Sequence, residues 1–202
     1  MSLEKKDIIE QTKAAFDLIQ KLYIEISYLI KEIEGILSEQ EENFVIGRPS
    51  GYHVSTRSST GLETNYVNLW LMRKLSVCFI PDSLTKKERG QTFTDIIPQL
   101  KVIYIRFVLE GNDIDEPEIQ FGILHNISKK PNAKGVKKFE HIMSHMEWNN
   151  EKIFKKPSAV DFEDVYIHIE GQLHTIHLFD IKDSETIKQK IINPCLKLYR
   201  NN

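Results

Sequence analysis

Apolar side chains recur every seven positions through the first forty residues: Ile9, Phe16, Tyr23, Ile30 and Leu37 form one row. Thr12, Ile19, Ile26 and Ile33 form a second row three positions on, and Ile8, Ala15, Leu22, Leu29 and Ile36 a third. A sustained heptad of this kind predicts one long amphipathic helix within residues 1–43, about 50 Å from end to end at 1.5 Å per residue. Its stripe takes three positions in seven, which suits a helix laid on a sheet or set in a bundle better than a two-stranded coiled coil. Leu18, Ile24 and Tyr28 are apolar outside that stripe. One small sheet cannot cover five heptads, so the pattern predicts a homo-oligomer or a helical protein partner. The interface candidates are Phe16, Ile19, Tyr23, Ile26, Ile30 and Ile33.

After residue 43 the period shortens. Phe44-Val45-Ile46 and Tyr52-His53-Val54 flank a Pro- and Gly-bearing segment and read as a short hairpin. Residues 62–74 fit helix and strand equally well, whereas 75–80 is a strand and 81–90 a charged loop. Alternation over 100–110 with apolar residues of both parities predicts a central strand, and 118–125 predicts its antiparallel neighbour. A short helix is expected over 136–148. A second hairpin over 164–180 is expected to turn at Glu170-Gly171. Asp183 is placed to cap a closing helix whose buried row is Ile187, Ile191, Cys195 and Leu198, with Pro194 kinking or dividing it. The fold class is therefore α+β. A long N-terminal helix and a C-terminal helix over 183–202 pack on one face of a mainly antiparallel sheet built from hairpins over 44–182. No linker or repeat splits the 202 residues, so one domain is expected.

Composition narrows the class further. The chain carries 27 Lys plus Arg against 29 Asp plus Glu, and its two cysteines are too few for a disulfide scaffold or a zinc ribbon. No apolar run approaches the ~20 residues of a bilayer span, and the charged start lacks the apolar core of a signal peptide. A soluble cytoplasmic protein with no membrane contact is expected. Charge is uneven: residues 129–156 hold eight lysines and three glutamates. Aromatic residues are interleaved there, as in surfaces that hold phosphates and stack bases. Lys134, Lys137, Lys138 and Trp148, with Arg48 and Arg57 from the hydroxyl-rich segment 55–61, are the candidates for a phosphate ligand or nucleic acid. No arginine lies within 129–156, which favours weak, salt-sensitive contact.

Sequence motifs for catalysis are missing. There is no Walker frame, no Rossmann glycine fingerprint and no Gly-x-Ser-x-Gly elbow. His141 and His145 share a helical spacing, but Ile142 stands where a metalloprotease has its glutamate. On the predicted hairpin His168 and His177 share one face and His174 lies on the other, so they do not converge on an ion. The carboxylates Glu110, Asp113, Asp115, Glu116 and Glu118 lack calcium-loop spacing. Tyr166, His168 and Glu170 alternate along a strand face, where His168 could exchange a proton with Glu170 or Glu163. Together with His53 and Arg57 they are the place for an unrecognised enzyme site. No metal and no cofactor is expected.

Overall fold

A computed structural model describes residues 5–46, 52–54, 73–88, 91–94, 100–111, 114–131, 142–143, 146, 154 and 159–201. The chain opens with α1 (Lys5–Ser38), 34 residues of helix. It stops where Asn43 takes a positive φ of 47°, which turns the chain into β1. The strands are β1 (Phe44–Ile46), β2 (Tyr52–Val54), β3 (Lys74–Pro81), β4 (Thr85–Glu88), β5 (Gln91–Thr94), β6 (Val102–Val108), β7 (Glu118–Lys129), β8 (Val160–Glu163) and β9 (Ile167–His177). The C-terminal helix is α2 (Ser184–Ile187), a π-helical turn over Lys188–Ile192, and α3 (Asn193–Asn201). Every strand pairing is antiparallel, and the main sheet runs β1-β3-β6-β7-β9-β8, with β2 also on β3. The α+β class, the terminal helices and the antiparallel sheet stand as expected.

Both faces of the sheet are covered, where the sequence pattern suggests one. Leu75, Val77, Phe79, Ile105, Phe107, Ile119, Phe121 and Ile123 face Ile26, Ile30, Ile33 and Leu37 of α1 and Ile187, Ile191 and Cys195 of the C-terminal helix. On the opposite face Cys78, Ile80, Val102, Tyr104, Leu124, Phe162, Ile169 and Leu173 meet Ile142, Met143, Met146 and Phe154. That second cover explains why all seven residues of β6 are buried. It also gives the lysine-rich segment an apolar side, since its described interior residues are core.

Three local expectations change. β1 and β2 are not a hairpin: both pair with β3, at Phe79–Pro81 and Leu75–Val77, so they are successive pieces of one edge strand. Both run antiparallel to β3, so the chain has the same direction in each. Residues 81–90 are not one loop, because β4 pairs with β5. The second hairpin turns earlier than Glu170-Gly171, at Asp164, whose carboxylate accepts from the backbone N–H groups of Tyr166 and Ile167 at 2.7 and 2.8 Å. β9 runs straight through Gly171. A side chain there would place its Cβ 2.3 Å from the Ile123 carbonyl oxygen, so the glycine serves close strand packing rather than a turn. His168, Glu170, Gln172 and His174 consequently share one face, and His177 lies on the other. The segment 62–72 lies outside the described residues, and β3 begins at Lys74.

The closing helix is capped as its sequence indicates, but it runs on through Pro194 and is not divided there. Asp183 Oδ1 accepts from the Thr186 N–H at 2.8 Å, a side-chain cap. The π-helical turn falls immediately before Pro194, which has no N–H to give and crowds the preceding turn. Arg200 then grips Glu42 with Nε and Nη2 at 2.9 and 3.0 Å, and Tyr199 meets Phe44 edge to face at 4.9 Å. These contacts tie the C-terminal helix to the segment that joins α1 to β1. Among the described residues no helix is long and apolar enough to cross a membrane.

Candidate interaction surface

One continuous helix, α1, divides into two environments. Its second half lies on β1, β3 and the π-helical turn, burying Ile26, Ile30, Ile33 and Leu37. Each such side chain contributes about 1.5–3 kcal/mol when fully removed from water. Its first half is different: every residue from 5 to 18 is exposed, Phe16 at 65% and Leu18 at 69%, with Ile8 and Ile9 also open. Ile19, Leu22 and Tyr23 are half-buried at the transition.

This division sorts the six interface candidates. Ile26, Ile30 and Ile33 serve the chain's own core and are not available to a partner, because the sheet and the C-terminal helix already cover that length of stripe. Phe16, Ile19 and Tyr23 lie on the length that the sheet does not reach. The stripe continues across the boundary in the same register, so the row that is exposed at Phe16 is the row that is buried at Ile30, two heptads later.

A groove of about 360 Å³ flanks the transition, between α1 and the chain that leads into α2. Leu22, Tyr28, Leu29, Phe179 and Ile181 supply its apolar lining, and Glu25, Glu32, Lys182 and Asp183 stand among them. Tyr28 and Phe179 are more than 60% exposed. Sequence periodicity carries half of this signal, in the off-stripe Tyr28. The other half, Phe179, comes from a segment 150 residues away and has no periodic signature. The Ser184 hydroxyl donates to Glu32 and closes the groove at one end.

The remaining candidates fare differently. Arg48, Arg57, Lys134, Lys137, Lys138 and Trp148 lie outside the described residues. Of the basic segment's lysines, Lys130 is described and donates to Glu163, whose carboxyl it holds below its usual range. His168 Nε2 stands 3.4 Å from both Asp161 Oδ1 and Glu170 Oε1, while Asn126 donates to Glu170 at 2.7 Å. The His168–Glu170 pairing expected from alternation is therefore formed, within a network on an open sheet face. Among the described residues no group of three or more His, Cys, Asp or Glu side chains is placed to hold a metal ion. Cys78 and Cys195 are buried free thiols, and burial pushes the Cys195 thiol far up, which keeps it protonated and unreactive. Comparison with family models, with curated proteins and with solved structures found no match for this chain.

Proposed function

We propose that the chain works as a homo-oligomer, at its simplest a dimer, in which the exposed half of α1 lies antiparallel along the α1 of a second copy. The observation that carries this reading is the apolar stripe that leaves the core without a break and runs over roughly four turns of uncovered helix. A helix with such a face keeps its order in water best when the face is covered.

The stripe also supports a second copy as the occupant. Reversed about Ile19, its rows map onto themselves: Phe16 then stands level with Leu22, and Ala15 with Tyr23. At these two levels a large side chain meets a smaller one, as interdigitating helices require. Further out the rows do not meet, because Ile26 and Ile30, which would stand level with Thr12 and Ile8, are already covered by the sheet. A two-fold axis through such a self-complementary patch is the commonest way for identical chains to associate. The groove beside Leu22 and Leu29 extends the apolar surface on the same side of the body.

Crosslinking tests both the partner and its direction. Ile19→Cys is expected to give a rapid disulfide-linked dimer, because the two-fold brings position 19 onto its own copy, whereas Thr12→Cys is not. The native thiols are buried and silent in this assay. A chain that crosslinks at neither position, or equally at both, overturns antiparallel self-pairing; the second result would indicate a parallel pair.

A further inference from the structure

The sheet face beneath Phe154 carries an arginine where its neighbours are apolar. Ser76, Arg106 and Gln120 stand in register on β3, β6 and β7 and are only 2–4% exposed. The row continues to Thr175 of β9, which is exposed, and at its other end β2 pairs His53 with Ser76. β8 covers β9 only as far as Gly171, so among the described residues no strand lies beyond Thr175 and the row meets the surface there.

Arg106 is held by neutral groups. Nη1 donates to Gln120 Oε1 at 3.1 Å, Gln120 Nε2 donates to the Phe154 carbonyl oxygen at 3.2 Å, and the guanidinium lies 3.8 Å over the Phe154 ring. Its Nε–H is buried with no acceptor. Among the described residues no carboxylate lies within ion-pair distance of it. A guanidinium removed from water without a counter-charge is strongly disfavoured, and natural interiors pair such groups. With Nη1 committed to Gln120, the unused Nε edge is the one that presents two parallel N–H groups to a pair of oxygens.

We propose that Arg106 anchors a binding site for a small oxyanion, a phosphate or a carboxylate, on this face of the sheet. The anion places a negative charge beside the guanidinium and accepts from the Nε edge. Ser76, next to Arg106 on β3, contributes a hydroxyl, and Phe154 forms the wall opposite. The site is independent of the pairing of α1.

Calorimetric titration of the full chain with inorganic phosphate and with acetate, at matched ionic strength, tests this. Wild type is expected to bind one anion per chain, and the tighter of the two probes identifies which oxyanion the site prefers. Arg106→Lys keeps the charge but loses the paired donors and is expected to bind about tenfold more weakly. Arg106→Met is expected to lose binding while its circular dichroism stays that of the wild type. If the Met variant does not fold, the Lys variant carries the test alone. Absence of binding to wild type by either anion, or binding that both variants leave unchanged, overturns the proposal; the latter would place the anion on surface lysines.

Discussion

The two halves of α1 share one heptad pattern and meet opposite fates. Residues 26–37 lose their apolar row to the sheet and the C-terminal helix, while residues 5–18 carry the same row into solvent. Helical periodicity therefore reports that a face is to be covered and is silent on what covers it. The difference arises from reach: 34 residues of helix span about 51 Å, and the sheet supports only the second half. The helix is one covalent unit, but its halves should respond differently to substitution.

The largest effect is expected at Ile33, which is fully buried between α1 and the sheet. Ile33→Asp places an unpaired carboxylate in the core, and the expected loss is more than about 4 kcal/mol, enough to leave no cooperative unfolding transition in denaturant. The matching change in the other half, Phe16→Asp with Ile19→Asp, is expected to preserve the far-ultraviolet and near-ultraviolet dichroism of the folded body. Its cost is borne by the association, so the concentration dependence of the melting temperature should vanish.

Smaller changes sharpen the contrast. A Cβ at Gly35 meets nothing within 4 Å, so Gly35→Ala should stabilise the anchored half by about 0.5–1 kcal/mol, read as a raised denaturation midpoint. The smallest effect is the pH response at the end of the anchored half. Arg200 hydrogen-bonds Glu42 and holds its carboxyl below its ordinary value of 4.5, with partial burial opposing. A depressed carboxylate stabilises the fold above the unfolded value and loses that contribution as pH falls through the folded one. Stability below pH 4.5 should thus decline less in Glu42→Gln than in wild type, by about 0.5–1 kcal/mol at most, measured by denaturant titration across pH 3–6.

What the sequence made legible follows from which signals are local. The alternation of β6 and β7 and the Asp183 cap depend on neighbours in the chain and are formed as read, whereas at Pro194 the helix is not divided and only a π-helical turn precedes it. Gly171 was misleading because glycine is used both for turns and for close approach, and only the Ile123 carbonyl on β7 decides between them. The edge pairing of β1 and β2 depends on β3, thirty residues away, and could not be read from the Pro and Gly between them. Of the exposed apolar stripe, Phe16, Ile19 and Tyr23 were legible from periodicity, but its boundary with the core at Ile26 is a tertiary fact. The groove needed Phe179 and Ile181 to be brought to Tyr28. Arg106 had a faint signal, a charge among apolar residues of both parities, whose weight appears only once Phe154 is seen to cover it.

The most direct test of the account is the absolute mass in solution by light scattering, on wild type and on Phe16→Asp with Ile19→Asp. Self-pairing through α1 gives at least twice the chain mass for wild type and the single-chain mass for the variant, with both folded. A wild type that runs as a single folded chain across micromolar concentrations, or a variant that keeps the wild-type mass, would contradict it.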